Sequence, residues 1–166
     1  MKADKVYLVG FMGAGKTTVA RALAKRLDWQ AADLDELIEK REHQTVAELF
    51  AKQGEAYFRA AERAVLLEQV GSRHLVVATG GGTFVDPQNL ALINRDGVSA
   101  WLDVPLDLLI MRVPPGGRRP LAADRVEFER LYLARRVAYE RAHARIDAGR
   151  ASVDALVEQL VDWLEA

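Results

Sequence analysis

Short apolar runs alternate along the chain with longer segments in which apolar residues recur at helical spacing. Three runs, at 6–9, 75–78 and 98–102, are apolar at nearly every position, which is typical of strands buried on both faces of a parallel sheet. Weaker strands are predicted at 30–33 and around Ile146. Together these runs predict a five-stranded parallel sheet.

Helical periodicity fills the segments between the runs. It predicts helices over residues 18–27, 35–42, 46–51, 56–70, 87–95, 105–112, 124–144 and 153–166. Because strands and helices alternate, we expect helices on both faces of the sheet, which makes a three-layer α/β fold. Residues 113–124 differ, because the sequence Pro-Pro-Gly-Gly at 114–117 predicts a mobile loop there.

Composition indicates one globular domain and excludes several classes of protein. The 166 residues suit a single domain over 1–166, and 50% hydrophobic with 28% charged residues excludes a disordered or fibrous chain. The absence of cysteine excludes disulfides, thiolate metal sites and a cysteine nucleophile. No apolar run approaches the ~18 residues of a membrane helix, and no signal peptide is recognisable, so we expect a cytoplasmic protein.

The charge distribution limits the partners that the chain can attract. A net charge of -1 gives no field that would recruit nucleic acid or a membrane surface, and we expect a monomer. The three histidines have no metal-ligand spacing. Ten arginines and five acidic residues lie between 112 and 150. Most of these arginines are expected to be solvated helix charges, but a few are expected to face an anionic ligand, because guanidinium groups bind phosphate and carboxylate well.

The first predicted strand leads into a phosphate-binding loop. Residues 10–17 read Gly-Phe-Met-Gly-Ala-Gly-Lys-Thr and satisfy the pattern G-x-x-x-x-G-K-[ST] between a buried strand and an amphipathic helix. Glycines let successive N–H groups point at phosphate oxygens, Lys16 reaches the β- and γ-phosphates, and the Thr17 hydroxyl binds Mg²⁺. The pattern therefore predicts binding of a nucleoside triphosphate by a set of residues at the start of the helix: Gly13, Ala14, Gly15, Lys16, Thr17 and Thr18.

The loop alone does not identify the phosphate acceptor, since motors, GTPases and kinases share it. The length suits a small-molecule kinase or a small GTPase, and the sequence holds no Asn-Lys-x-Asp tetrapeptide of the kind that selects guanine. A small-molecule kinase is therefore favoured.

Four further segments are candidates for the acceptor side. Asp33 and Asp35 lie where the second strand is predicted to end, and a spacing of two in an extended segment sends one carboxylate to the metal and the other to a substrate, unless the pair is a helix N-cap. Arg59 lies one turn inside a predicted helix, as a site residue or as a partner of Glu62. Glycines 80–82 follow a buried strand, where a ligand or main chain must approach closely. Arg119, on the predicted loop, is placed to close over transferring phosphate as a lid.

Together these motifs resemble the shikimate kinase family over nearly the whole chain. The resemblance rests on the phosphate loop at 10–17 and on segments similar to the family's Asp-x-Asp-x-x-Ile-Glu at 33–39, Gly-Glu-x-x-Phe-Arg-x-x-Glu at 54–62, glycine triplet at 80–82 and lid Arg-Pro-Leu at 119–121. It implies a P-loop kinase fold with acceptor-binding helices at about 34–62 and a lid at about 113–124. The implied reaction transfers the γ-phosphoryl of ATP to the 3-hydroxyl of shikimate.

The resemblance also implies the roles of individual residues. Shikimate would be held by four of them: Asp35, Arg59, Gly81 and Arg135. Lys16, Asp35 and Arg119 would be catalytic, Arg119 and Arg150 would also contact ATP, and Mg²⁺ would be held by Thr17 and, through water, by Asp33. Arg136 is a rival to Arg135, because the family's Arg-x-Pro-Leu-Tyr is represented here by Arg-Arg-Val-Ala-Tyr at 135–139.

Two other functions remain open. A gluconate or nucleoside monophosphate kinase would share the phosphate loop, and gluconate also carries a carboxylate that arginines could bind. A module that senses ATP and an acid without turnover is the alternative from a different class.

Overall fold

The computed structural model of the chain describes residues 1–112 and 125–166. Strands and helices alternate in it much as the apolar pattern predicts. In chain order they are β1 (Lys5–Val9), α1 (Lys16–Leu27), β2 (Gln30–Asp33), α2 (Leu34–Glu42), α3 (Val46–Gln69), β3 (Leu75–Ala78), a 3₁₀ turn (Thr83–Val85), α4 (Pro87–Asp96), β4 (Val98–Asp103), α5 (Leu106–Arg112), α6 (Arg125–Tyr139), β5 (Ala144–Asp147) and α7 (Val153–Glu165). Among the described helices, none combines the length and apolar character needed to span a bilayer.

The five strands form one parallel sheet in the order β2-β3-β1-β4-β5. Strand β1 lies at the centre, where Tyr7 pairs with Val77 on one side and with Ser99 on the other. All five residues of β1 are buried, and successive residues point to opposite faces, so both faces of the sheet are covered. Chain order reverses at β1, and ligands bind beyond the carboxyl ends of strands at such a reversal. The predicted three-layer parallel fold is confirmed.

Two helix boundaries differ from the predictions. The predicted break at Gly54 is present as a kink (φ 85°, ψ 172°) within α3, so the chain continues into the second half without a loop. Helix α6 ends at Tyr139, whereas the periodicity predicts a helix to residue 144. The helix is shorter because Ala144–Asp147 pairs with β4, and this pairing outweighs local helix preference. The predicted lid at 113–124 lies outside the described residues.

A network of charged groups lies at the amino-terminal ends of the central strands. Lys5 is fully buried, lies 2.6 Å from Asp96 and donates to the carbonyl of Gln69. Tyr7 donates to the same carboxylate at 2.6 Å, and Arg73 lies 2.7 Å from it. Burial alone would raise the pKa of Asp96, but the hydrogen bonds from Lys5 and Tyr7 hold it below its ordinary value. Its stabilising contribution is therefore present above the ordinary carboxyl range and is lost as pH falls through the lowered pKa.

We expect Asp96→Asn to lower the free energy of unfolding at pH 7 by about 3–5 kcal/mol, because it leaves the buried Lys5 ammonium without its counter-charge. Asp4→Asn is the control, since Asp4 is half-exposed and pairs with Arg73 at 3.2 Å, and it should cost less than about 1 kcal/mol. Urea unfolding of the three proteins measures both changes. Equal losses in the two variants would show that Lys5 does not depend on Asp96.

Candidate active site

The phosphate loop lies between β1 and α1, at the point where the sheet order reverses. Gly10 requires glycine twice over, because its φ is 147° and a Cβ there would lie 2.9 Å from the Leu102 carbonyl oxygen. Gly13 and Gly15 also have positive φ, of 81° and 93°, and α1 begins directly after Gly15. The loop therefore curls over the end of the central strand, with a helix N-terminus behind it.

Lys16 lies over this loop rather than in solvent. Its side chain is buried, and Nζ donates to the carbonyl oxygens of Phe11, at 2.9 Å, and of Gly10. An open pocket of about 470 Å³ adjoins the loop and contains every residue of the predicted phosphate set together with both aspartates. Its lining is Gly13, Ala14, Gly15, Lys16, Thr17, Thr18, Asp33, Asp35 and Thr79.

The two aspartates are separated by a change of secondary structure. The prediction of an extended Asp-x-Asp segment is wrong, because β2 ends at Asp33 and α2 begins at the next residue. Asp33 caps that helix, accepting the Glu36 N–H at 3.0 Å, and its second oxygen accepts the Thr17 hydroxyl. Asp35 lies in the first turn of α2 and is 7% exposed. The N-cap alternative is therefore correct for Asp33, which nevertheless reaches the phosphate pocket.

A second pocket of about 360 Å³ lies beside the first. Its lining includes an apolar pair, the Phe50 and Phe58 rings, whose centroids lie 4.8 Å apart, and charged groups, of which the Arg59 guanidinium lies over the Phe58 ring. The lining residues are Met12, Val46, Phe50, Phe58, Arg59, Glu62, Gly80, Gly81, Gly82 and Arg135. Asp35 adjoins both pockets, since its Oδ1 lies 3.1 Å from where a Cβ of Gly80 would be.

Each glycine of the triplet makes room for a different charged side chain. A Cβ at Gly82 would lie 2.5 Å from Nη2 of Arg59, and a Cβ at Gly81 would lie 2.9 Å from Nη1 of Arg135. A Cβ at Gly80 would lie 3.1 Å from the Asp35 carboxylate and 3.2 Å from the Glu62 carboxylate. The triplet thus lets charged side chains crowd against the main chain after β3, which is the close approach that glycines in a strand end indicate.

Glu62 is a buried carboxylate that the sequence identifies only as a partner of Arg59. It is 1% exposed, accepts from Arg59 at 3.0 Å, and accepts the Thr83 hydroxyl at 2.8 Å. Burial raises the pKa of Glu62 above its ordinary value, although Arg59 and Thr83 favour the charged form. Arg59 therefore lines the pocket and pairs with Glu62 within its helix at the same time.

The adjacent arginines of α6 point in different directions. Arg135 lines the second pocket and is 6% exposed. Arg136 lies 2.8 Å from Asp103 and stacks over the Trp101 ring at 4.8 Å, away from both pockets. The structure therefore places Arg135, and not Arg136, where an acceptor could reach it.

Of the predicted ATP contacts outside the phosphate loop, the structure describes only Arg150. Arg150 is exposed and lines neither pocket. Arg119 lies outside the described residues. Sequence reasoning missed Met12 and Val46 of the second pocket, and Arg112, which donates to the Gly13 carbonyl at 3.3 Å. Met12 could have been found from its place inside the phosphate loop, whereas nothing local marks Val46.

A model of the shikimate kinase family matches residues 12–165 of the chain. The chain belongs to the shikimate kinase family. A shikimate kinase of Persephonella marina is 37% identical over 157 residues, which are 94% of this chain and 96% of the relative. One from Thermosynechococcus vestitus is 43% identical over 126 residues, or 76% of this chain and 68% of the relative. The resemblance drawn from the motifs is confirmed, and with it the ATP-dependent kinase class.

Solved shikimate kinases share the fold over nearly the full length. The enzyme from Acinetobacter baumannii in complex with shikimate matches with a TM-score of 0.91 at 33% identity, covering 98% of this chain and 93% of that one. The enzyme from Aquifex aeolicus gives 0.88 at 31% identity, with 97% and 96% covered. A deoxyadenosine kinase of M. mycoides, at 18% identity and a TM-score of 0.65, shares the fold alone.

We expect Glu62→Gln to change how stability depends on pH in this shikimate kinase family member. Between the ordinary Glu value and the raised pKa of Glu62, the folded chain binds more protons than the unfolded chain, so stability falls as pH rises through this interval. The glutamine variant lacks this fall. Urea unfolding at several values between about pH 4 and about pH 8 gives the difference between the two proteins.

The control for this prediction is Glu68→Gln. Glu68 is an exposed partner of Arg41, so the free energy of unfolding of its variant should change with pH in parallel with that of the unchanged chain. A Glu62→Gln curve that also runs parallel would contradict the raised pKa of Glu62.

Proposed function

We propose that the chain transfers the γ-phosphoryl of ATP to the 3-hydroxyl of shikimate, giving shikimate 3-phosphate and ADP. The observation that carries the proposal is the position of Asp35, a buried carboxylate that lines the phosphate pocket and lies against Gly80, a lining residue of the pocket of Arg59 and Arg135. A kinase needs such a group at the boundary, because it must orient an acceptor hydroxyl toward the γ-phosphate.

The second pocket matches the chemistry of shikimate. Arg59 and Arg135 offer guanidinium groups to the carboxylate of the acceptor. The Phe50 and Phe58 rings offer an apolar wall to its carbon ring, and the Gly81 main chain lies beside Arg135 and Met12 of the phosphate loop. Asp35 accepts a hydrogen bond from a hydroxyl, which places the attacking oxygen.

Electrostatic stabilisation of the transition state accounts for most of the rate acceleration in the proposed transfer. Lys16 serves the β- and γ-phosphates, and Arg119 is proposed to close over them, with Arg150 near the adenine. A loose transition state demands little of a base, so Asp35 mainly positions the hydroxyl and takes up its proton late.

The residues beside Lys16 fit Mg²⁺. Thr17 and Asp33 present oxygen atoms in direct contact with each other beside the loop, and Mg²⁺ prefers one or two protein oxygens together with phosphates and water. We propose that Thr17 binds the ion and that Asp33 binds through water; when bound, Mg²⁺ neutralises charge on the transferring phosphates. Residues 1–112 and 125–166 hold no cluster of three or more acidic or histidine ligands that could form a separate metal centre.

We propose that the chain acts as a monomer, with residues 1–166 forming one kinase domain. ATP is plentiful in the cytoplasm, which supports activity there. The other candidates are kinases for gluconate or a nucleoside monophosphate, and a module that binds ATP and an acid without turnover.

The test is ADP release from Mg–ATP with shikimate, run beside gluconate, AMP and CMP. We expect strong stimulation by shikimate alone. Asp35→Asn should abolish most of that turnover while ATP binding, measured by titration calorimetry, stays nearly unchanged. Stimulation by another acceptor would overturn the substrate, and ligand binding without any ADP release would favour the sensing module.

We expect Gly82→Ala to raise the KM for shikimate by about tenfold. The added methyl group displaces the Arg59 guanidinium, which weakens the hydrogen bond from Arg59 to the carboxylate of shikimate. Stability should change by less than about 1 kcal/mol, since the Arg59 side chain is 31% exposed and can move aside. Steady-state kinetics and thermal unfolding measure the two effects.

Two arginine variants serve as the comparison and the control for Gly82→Ala. Arg59→Ala should affect the same kinetic constant at least as strongly, whereas Arg63→Ala should leave it unchanged because Arg63 pairs with Asp86 outside the pocket. An unchanged KM in Gly82→Ala would mean that Arg59 does not bind the acceptor from this position.

A further inference from the structure

One residue of the phosphate loop contacts an arginine of the second pocket through its ring. Phe11 is 2% exposed and does not line the phosphate pocket; its ring packs on α6 instead. The ring centroid lies 5.1 Å from that of Phe128 and 5.4 Å from that of Tyr132, at interplanar angles of 88° and 85°. Such edge-to-face pairs are the preferred geometry of aromatic rings, so Phe11 has a fixed place against the helix.

The same ring faces an arginine of the acceptor pocket. The guanidinium carbon of Arg135 lies 5.7 Å from the Phe11 centroid, within the range of a cation–π contact. Nη1 of Arg135 also lies 2.9 Å from the Cβ position of Gly81, whose carbonyl accepts the Tyr139 hydroxyl. The guanidinium therefore contacts both an aromatic ring and a stretch of main chain that is itself hydrogen-bonded.

We propose that Phe11 is a positioning residue for Arg135, and that its ring fixes the guanidinium in the orientation that receives the acceptor carboxylate. This inference rests on the proposed function, because it takes Arg135 as a carboxylate ligand. Fixing the side chain in advance lowers the entropy lost when the acceptor binds. Phe11 then acts on the sites of both substrates through different groups. Its carbonyl accepts a hydrogen bond from Lys16, and its ring packs against the Arg135 guanidinium.

The test separates acceptor binding from nucleotide binding. Phe11→Leu keeps an apolar side chain in the loop but removes the aromatic face, so the KM for shikimate should rise about three- to tenfold while the KM for ATP changes less than about twofold. A residue that merely shapes the phosphate loop would affect ATP instead. Equal rises in the two constants, or a rise for ATP alone, would overturn the proposal.

Phe128→Leu is the matched control. It removes one edge-to-face partner of the same ring without touching Arg135, so the KM for shikimate should change less than about twofold. An increase equal to that of Phe11→Leu would assign the effect to helix packing. Phe11→Tyr keeps the ring and should retain the original KM, and Phe11→Met replaces the leucine variant if that variant does not fold.

A double-mutant cycle tests whether Phe11 acts through Arg135. With shikimate affinity measured calorimetrically in the presence of Mg–ADP, Phe11→Leu should weaken binding in the unchanged chain and have no further effect when Arg135→Ala is already present. Additive losses would contradict the proposal. The unchanged chain is assayed first: if it shows no shikimate-dependent ADP release, the proposed function fails, independently of any Phe11 variant.

Discussion

The acceptor pocket depends on the close approach of two arginines to the main chain after β3. A guanidinium held that close to backbone atoms needs positions without side chains, and glycines 81 and 82 supply them. It also needs nearby groups that limit the cost of burying positive charge, and the pocket meets this need differently at its two ends. Arg59 has the buried carboxylate of Glu62, whereas Arg135 has the ring of Phe11 and the main chain of Gly81. Both guanidiniums are thus held in contact with neighbouring groups at the pocket.

Charged groups are arranged differently at the two ends of the sheet. At the amino-terminal edge, Lys5 and Arg73 converge on one carboxylate, Asp96, and the network is satisfied within the protein. At the carboxyl edge, Lys16, Arg59 and Arg135 all line pockets that face solvent. The first arrangement stabilises the fold, and the second gathers positive groups around two pockets although the net charge of the chain is only -1.

Much of this could be predicted from sequence, because strong local patterns carried it. The central strands are apolar throughout, and the phosphate loop has fixed spacing between strand and helix, so both were located within a residue or two. Local patterns failed where a distant contact decides the outcome. Helix α6 ends early because β5 pairs with β4, and the extended segment ends at Asp33 because that residue caps α2. The choice between Arg135 and Arg136 depends on Asp103 and Trp101, residues more than thirty positions away.

The contact between Gly82 and Arg59 constrains how this pocket could evolve. While the arginine is present, a side chain at position 82 is opposed by a guanidinium that would lie 2.5 Å from its Cβ. If a lineage lost the arginine first, that opposition would vanish and the glycine could be replaced without further harm. Restoring the arginine would then require reversing the second substitution as well. The contact with Gly82 therefore makes an arginine at position 59 easier to lose in evolution than to recover.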